Sequence, residues 1–236
     1  MTTPDGVKFT WLGHSTFKVE TPGGQTVLID PWVMGNPACP DDHKKFDGID
    51  TMLCTHGHFD HIGDAVELAN QHDPMVVGVY ELCGWMQKKG VKKTSPMNVG
   101  GSQQVGDIRV TMVPAIHSCG ITDGDQTVYG GVACGFIVEF ENLFRIYHAG
   151  DTAVFGDMRI IHELYNPEIV FLPIGDHFTM GPREAAYACQ MLKPKVVVPM
   201  HFGTFPLLRG TPQDLEKHLD GMGIELKTMK PGETWG

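Results

Sequence analysis

The stretch Thr55-His-Gly-His-Phe-Asp-His61 places three imidazoles and one carboxylate within seven residues. It follows residues 49–54, Ile-Asp-Thr-Met-Leu-Cys, a short apolar run of the kind that forms a buried strand. Single histidines are common in surface loops, but four potential metal ligands in so short a stretch are not explained in that way. The pattern therefore predicts a metal site at the end of a strand.

The spacing of these side chains determines which of them can meet around one ion. Alternate residues of an extended segment point to the same side, so His56, His58 and Asp60 can converge, while His61 falls at the start of a helical pattern. Imidazole and carboxylate together suit zinc, manganese or iron, and no cysteine interrupts the set. Zinc is the first expectation, and manganese and iron are the alternatives.

Length and composition indicate one globular domain. The chain has 236 residues, of which 42% are hydrophobic and 19% are charged. No linker-like or low-complexity tract divides it. We therefore expect a single domain over residues 1–236.

The charge balance limits the classes of partner. The formal net charge is -10, whereas nucleic acids and acidic membrane surfaces are bound by basic surfaces. No segment approaches the roughly 18 consecutive apolar residues that a membrane span requires. We expect a small-molecule substrate, no nucleic acid and no membrane span. The sequence leaves the oligomeric state open, a homo-oligomer included.

The cysteines favour a reducing compartment. They show no CxxC spacing, and the chain does not begin with the charged and then apolar pattern of a secretory signal. A cytoplasmic protein with reduced thiols is expected, with the cysteines acting as small core residues. They are Cys39, Cys54, Cys83, Cys119, Cys134 and Cys189.

Hydrophobic periodicity predicts strands followed by helices in each half of the chain. In the first half we expect strands over residues 7–12, 16–20, 26–30, 49–54 and 74–80, and helices over residues 61–71 and 81–89. In the second half we expect strands over residues 108–113, 135–140, 143–147, 169–173, 196–200 and 224–228, and helices over residues 158–165, 182–192 and 212–219. Two packed mixed sheets with outer helices, a four-layer α/β/β/α sandwich, is the arrangement that fits.

Three further side chains share the context of the opening cluster, because each follows an apolar run. They are His117, Asp151 and His201. The ends of strands at one rim of a sheet are where loops gather functional groups. We therefore expect these three side chains to join the cluster at residues 56–61.

Taken in order, these residues resemble the metallo-β-lactamase superfamily, whose pattern HxHxDH, then His, Asp and a last His, runs here from residue 56 to residue 201. Three segments are similar to one branch of that superfamily: Trp11-Leu-Gly-His-Ser-Thr-Phe17, His148-Ala-Gly-Asp-Thr152 and Pro199-Met-His-Phe-Gly-Thr-Phe205. The branch includes the ascorbate-6-phosphate lactonase and uncharacterised UPF0173-type hydrolases. The resemblance spans nearly the whole chain and implies a metal-dependent hydrolase with the metallo-β-lactamase fold.

The resemblance also implies two divalent metal ions and divides seven ligands between them. The first ion would be held by His56, His58 and His117, and the second by Asp60, His61 and His201. Asp151 would bridge both ions together with a hydroxide, which would attack the substrate.

Other residues acquire roles by the same resemblance. Asp60 would also orient the hydroxide and is thus a catalytic candidate, whereas Asp30 would orient a ligand without binding metal. His14 is expected next to the ligands or facing the substrate. His177 stands where the resembling branch more often carries an asparagine, and as a donor at that place it is a candidate oxyanion stabiliser or leaving-group acid. Thr179 is a candidate substrate-binding residue.

The expected reaction is hydrolysis of a small ester, lactone or phosphodiester, on a site shaped by loops 31–48, 118–131 and 202–210. A tRNA-processing-type nuclease is an alternative, but the net charge and the lack of a basic, glycine-rich arm oppose it. An oxygen-reducing partner of a flavin domain would need a second domain for which no residues remain. Promiscuous β-lactamase activity stays open, because a hydroxide between two metals is chemically general.

Overall fold

The structure, a computed structural model, describes residues 6–236. Two mixed sheets pack together and helices cover them, so the predicted four-layer α/β/β/α sandwich is confirmed. The first five residues of the domain expected over 1–236 lie outside the described range.

The first sheet brings together the early strands of the chain. In spatial order it contains the edge strand β16 (Thr234–Trp235), then β1 (Lys8–Trp11), β2 (Phe17–Glu20), β3 (Thr26–Ile29), β4 (Thr51–Leu53), β5 (Met75–Val79) and β6 (Thr94–Met97). Strands β1 to β3 pair antiparallel, whereas β3 to β6 run parallel. The carboxyl ends of β3 and β4 therefore meet at one edge of the sheet.

The second sheet has the same mixed character. In spatial order it contains β15 (Glu225–Leu226), β14 (Val196–Met200), β13 (Ile169–Pro173), β12 (Arg145–His148), β11 (Cys134–Glu139), β8 (Ile108–Pro114) and β7 (Ser102–Val105). Strands β12 to β15 are parallel, and the remaining pairs are antiparallel. A separate hairpin is formed by β9 (Gly120–Asp123) and β10 (Gln126–Tyr129).

The helices follow strands of each sheet. They are α1 (Phe59–Ile62), α2 (Ala65–His72), α3 (Tyr80–Lys88), α4 (Met158–Tyr165), α5 (Pro182–Leu192) and α6 (Pro212–Leu219), with a short 3-10 turn at Asp41–His43. Both α5 and α6 begin with proline, which lacks the N–H that a first helical position leaves unpaired. The hydroxyl of Thr211 caps α6 by accepting from the backbone N–H of Asp214.

The helix predicted over residues 61–71 is interrupted, and this part of the prediction was wrong. Its N-terminal turn is α1, and α2 starts only after Gly63 and Asp64. The cause is a tertiary contact, because the Asp64 carboxylate accepts from the backbone N–H groups of Val33 and Met34 at 2.5 and 2.8 Å. His61 therefore sits at the end of a single turn whose position is set by neighbouring chain segments.

Aromatic side chains join the two sheets. Phe171 of β13 packs against Phe9 of β1 and Phe17 of β2, with ring centroids 5.2 and 4.7 Å apart, and all three are fully buried. Burial of each such ring contributes about 2 to 3 kcal/mol. This contact fixes the spacing of the sheets and hence of the loops at their shared edge.

Three residues that follow strands at this edge adopt left-handed backbone conformations. The φ angles are 55° at His14, 48° at Asp30 and 56° at His201. Such conformations are uncommon outside glycine, and they cluster where function requires a particular side-chain direction. All three side chains are buried; those of His14 and His201 belong to one cluster of potential metal ligands, and that of Asp30 contacts His61, another member of the cluster.

Candidate metal centre

The predicted metal ligands come together at the shared edge of the two sheets. Strand β4 leads into the histidine-rich segment and α1 continues it, while the loops after β8, β12 and β14 approach from the second sheet. These elements bring together His56, His58, Asp60, His61, His117, Asp151 and His201. The expectation that strand ends gather these residues is therefore correct.

Three histidines form the first group. His56 Nε2 lies 3.0 Å from His58 Nδ1, which in turn lies 3.3 Å from His117 Nε2. Nitrogens bound at about 2.0–2.1 Å to a tetrahedral zinc ion would be about 3.3 Å apart. The three rings therefore have the spacing that one ion requires.

The second group contains one carboxylate and three histidines. Ligand atoms of Asp60, His61, His201 and His14 all lie within 4.8 Å of one another. His14 was expected beside the ligands, and it does lie there: its ring centroid is 4.0 Å from that of His201.

Asp151 lies between the two groups. Its Oδ2 atom is 3.3 Å from His61 Nε2 and 2.9 Å from His201 Nε2. The same atom is 3.6 Å from His117 Nε2 and 4.0 Å from His56 Nε2. One carboxylate oxygen thus faces nitrogens of both groups.

Unpaired polar atoms indicate that this cluster fits a cation. Within residues 6–236, His61 Nε2, Asp151 Oδ1 and both ring nitrogens of His201 are buried and make no hydrogen bond of acceptable geometry, although Asp151 Oδ2 lies close to the Nε2 atoms of both histidines. Buried polar atoms are rarely left unpaired, because each loses its interactions with water. Imidazole nitrogen and carboxylate oxygen aimed at a shared space are a donor set suited to zinc, manganese or iron.

Asp30 orients His61 from behind. Its Oδ2 atom accepts from His61 Nδ1 at 2.8 Å and from the Thr55 hydroxyl at 2.7 Å, while Oδ1 accepts from the backbone N–H of Thr55. With Nδ1 used in this way, Nε2 of His61 is the nitrogen that faces the cluster. The orienting role that the sequence resemblance implied for Asp30 agrees with these contacts.

Thr55 sets the orientation of His56 as well. The Thr55 hydroxyl has one proton, which it donates to Asp30, so it accepts from His56 Nδ1 at 3.0 Å. This contact leaves the Nε2 lone pair of His56 directed at His58 and His117. Sequence reasoning missed Thr55, although its place immediately before His56 could have drawn attention to it.

His148 is a second residue whose role was missed. Its fully buried ring donates from Nε2 to the Ser15 carbonyl at 3.1 Å and accepts from the backbone N–H of Gly150 at 3.3 Å. Burial lowers its pKa below the usual value, so the ring is neutral. His148 therefore holds the turn that delivers Asp151, and it connects this turn to the segment after β1.

Burial and nearby charges shift the pKa values of these histidines in opposite directions. Burial lowers the pKa of His56 well below its usual 6.5, and it also lowers the pKa values of His58 and His117. These rings are neutral at pH 7, the state that binds metal. Burial acts in the same direction on His61, but the carboxylates of Asp151 and Asp30 outweigh it and raise the pKa of His61.

The cluster forms the floor of an open cavity of about 660 Å³. The walls are largely apolar, and they come from α1, the β9 strand and the loops at residues 178 and 205–207. Two of the three loops that were expected to shape the site, 118–131 and 202–210, contribute to it. Loop 31–48 does not line the cavity, because Asp64 ties its first part to the back of α1 and α2.

The structure does not bring His177 or Thr179 into the cluster. His177 is exposed, has a φ of 60°, and packs edge-on against Phe178. The Thr179 hydroxyl donates to the carbonyl of Met180 at 3.3 Å. Phe178, which lies between them, is the residue of this segment that lines the cavity. The catalytic and substrate-binding roles of His177 and Thr179 stay predictions.

Comparison with known proteins agrees with this geometry. A β-lactamase superfamily domain matches residues 25–202. The chain belongs to this superfamily. Within it, the chain is 62% identical over 230 residues to a UPF0173 metal-dependent hydrolase of Koribacter versatilis, with 98% of each chain covered. It is 52% identical over 227 residues to one of Solibacter usitatus, with 96% of this chain and 98% of the relative covered.

A solved structure extends the agreement to three dimensions. Igni18, described as a novel metallo hydrolase from Ignicoccus hospitalis, matches with a TM-score of 0.85 and 36% identity over 97% of both chains. The chain is therefore a metal-dependent hydrolase of the UPF0173 type with the metallo-β-lactamase fold. Within residues 6–236, no helix of this hydrolase is long and apolar enough to cross a membrane.

Proposed function

We propose that this protein is a dinuclear metal-dependent hydrolase that cleaves a small ester, lactone or phosphodiester with a water molecule activated between two ions. The observation that carries the proposal is the position of Asp151. One of its oxygens lies within 4.0 Å of nitrogens from both histidine groups. A carboxylate in that position can serve two ions at once.

The division of ligands follows from the two groups. His56, His58 and His117 would hold one ion, and Asp60, His61 and His201 the other, with Asp151 shared between them. When bound, such an ion pair lowers the pKa of water and polarises the C=O or P=O group of the substrate. Zinc is the proposed metal, and manganese or iron would suit the same ligands.

Side chains around the candidate ligands fix the orientation of those ligands. Asp30 and Thr55 fix the ring orientations of His61 and His56 through hydrogen bonds of 2.7 to 3.0 Å. Asp60, whose side chain is 15% exposed, borders both the cluster and the cavity. It can therefore bind metal and also accept a hydrogen bond that orients the attacking hydroxide, the catalytic role proposed for it.

A cytoplasmic location is part of the proposal. All six cysteines lie within residues 6–236, and in the structure they are buried and unpaired. Reduced thiols of this kind are typical of a reducing compartment.

Elemental analysis provides the first test. Protein produced with zinc, manganese or iron supplied in turn should contain two ions per chain with at least one of these metals. Less than one ion per chain under all three conditions would exclude the dinuclear site.

Activity provides the second test. The loaded protein should be screened in parallel against bis-p-nitrophenyl phosphate, a short acyl lactone, a p-nitrophenyl ester and a β-lactam. His58→Ala and Asp151→Asn should each reduce turnover to background and lower the metal content. Asp157→Asn, at an exposed position before α4, is the matched control and should leave both unchanged. Turnover that survives loss of Asp151 would contradict the proposed bridge.

A further inference from the structure

The walls of the cavity above the metal centre are built from large apolar side chains. Beyond the metal-ligand cluster, the lining consists of the two hydroxyl residues Ser118 and Thr122 and of the apolar residues Phe59, Phe178, Phe205, Pro206 and Leu207. Three aromatic rings and two aliphatic side chains thus surround the space that a substrate would occupy. Apart from the hydroxyls of Ser118 and Thr122, the polar side chains of the cavity belong to the metal-ligand cluster on its floor.

Several of these apolar side chains are exposed to solvent. The exposed fractions are 56% for Phe59, 52% for Phe178 and 47% for Leu207. Contiguous exposed apolar surface of this kind, around a concave site with convergent polar groups, is typical of ligand binding. An apolar part of a ligand would remove this surface from water.

Phe205 lines the cavity and is held in place by neighbouring aromatic rings. Its ring stacks on Trp32 at a centroid distance of 5.8 Å and meets His14 edge-on at 5.5 Å. Trp32 is buried and also packs edge-on against Phe59. Two of the three aromatic walls are therefore joined through one buried ring, so this part of the site is formed before a ligand arrives.

The charge of the lining limits which ligands fit the cavity. Among the described residues that line it, none is lysine or arginine. Arg209, the basic residue closest in sequence to the wall at 205–207, lines a different depression together with Asp176 and Asp214. A phosphate or carboxylate far from the metal ions would find no cation to pair with, and burying it there would be unfavourable.

We propose that the substrate is a neutral ester or lactone with an uncharged, apolar group beside its reacting carbonyl. The carbonyl lies over the metal centre, and the apolar group occupies the cavity between Phe178, Phe205 and Leu207. This inference rests on the hydrolytic function proposed above and narrows it. Phosphorylated sugars and nucleic acids are disfavoured, because each carries negative charge away from the reacting group.

Binding can test the inference independently of turnover. Two hydroxamates of nearly equal shape serve as probes, 4-methylpentanohydroxamic acid and the monohydroxamate of succinic acid, which differ by an isopropyl group in place of a carboxylate. Calorimetry on the zinc-loaded protein should give a Kd at least tenfold lower for the neutral probe. Equal affinity, or tighter binding of the charged probe, would overturn the inference.

A charge introduced into the wall should shift this preference. Leu207→Lys, or Thr122→Lys in β9, should reduce the ratio of the two Kd values at least fivefold, because a cation in the lining can then pair with the carboxylate. Both positions are solvent-exposed and can accept a lysine. Leu164→Lys, on α4 and 66% exposed outside the cavity, is the matched control and should leave the ratio unchanged. An unchanged ratio in both wall variants would contradict the assigned pocket.

Turnover separates this inference from the proposed function. The esters p-nitrophenyl 4-methylpentanoate and p-nitrophenyl hemisuccinate repeat the same comparison with a leaving group. Hydrolysis of the two esters at equal rates, together with equal hydroxamate affinities, would overturn the inferred substrate preference but would still support the proposed hydrolytic activity. Selective binding of the neutral hydroxamate without hydrolysis of either ester, or of any substrate in the earlier screen, would reject the proposed hydrolysis of esters, lactones and phosphodiesters and retain the apolar pocket.

Discussion

His14 Nε2 lies 3.0 Å from Asp60 Oδ2, although 45 residues separate them along the chain. Burial, and then the proximity of His201, lower the pKa of His14 to about 4, so the ring is neutral at pH 7 and donates its single proton to Asp60. Its Nδ1 then accepts from the Thr204 hydroxyl at 3.0 Å. His14 thus connects a candidate metal ligand to the loop that carries Phe205.

Removal of the hydrogen bond between His14 and Asp60 should lower turnover and metal affinity without unfolding the protein. His14→Ala takes the donor from Asp60, so we expect turnover and zinc affinity to fall about 10- to 100-fold. His14→Gln retains an N–H donor and should recover part of the loss. Both are measured by kinetics and by zinc content after dialysis against a chelator. His218→Ala, at an exposed position on α6, is the control. Full activity and metal content in His14→Ala would contradict the positioning role.

Substitution of Asp30 should weaken the site more than substitution of His14, because the Asp30 carboxylate accepts hydrogen bonds from three donors. Asp30→Asn keeps the shape and tolerates the φ of 48°, but it loses an acceptor for either His61 or Thr55. We expect the free energy of unfolding to fall by about 1 to 3 kcal/mol and zinc affinity to fall at least tenfold. Asp41→Asn, which alters an exposed contact with Lys44, is the matched control. Retention of zinc equal to that of the control would argue against the orienting role.

The candidate ligands could be proposed from the sequence because four of them are nearly contiguous. The segment from His56 to His61 indicates a metal site without any tertiary information, and His117, Asp151 and His201 follow apolar runs whose ends meet at one edge. The layer arrangement was predictable for a similar reason, since the main strands and helices show clear periodicity. The hairpin at residues 120–129 is weakly patterned, and the sequence predicts only a loop there, over residues 118–131.

The contacts behind the ligands could not be derived from local pattern. The bonds from Asp30 to His61 and from His14 to Asp60 join distant segments, and only the packing of the sheets makes them neighbours. The break between α1 and α2 also depends on a distant partner, the backbone at Val33. His177 illustrates the opposite case, because a histidine beside a motif is exposed when the backbone turns it outward.

Gly175 lies so close to the backbone of His201 that a side chain should not fit at its position. A methyl group at this position would overlap the His201 carbonyl oxygen, whereas one at Gly156 would meet no atom within 4 Å. Gly175→Ala should therefore shift His201, lower the free energy of unfolding by about 1 to 3 kcal/mol and reduce the zinc content. Gly156→Ala is the matched control. Urea denaturation and elemental analysis measure the two effects, and equal behaviour of the two variants would disprove the close approach.

The buried cysteines should not react with alkylating reagents in the folded protein. Burial raises the pKa of Cys39 to about 11 and those of Cys83 and Cys189 to about 12. The reactive thiolate forms only as the pH approaches these values, so at pH 8 about 0.1% or less of each thiol is ionised. Iodoacetamide at pH 8 should leave native protein unmodified and its hydrolytic activity intact, and it should label all six cysteines in urea, as counted by mass spectrometry. Leu164→Cys, exposed on α4, should add one rapidly labelled thiol as a positive control. Rapid labelling of native protein with loss of turnover would instead place a reactive cysteine at the site.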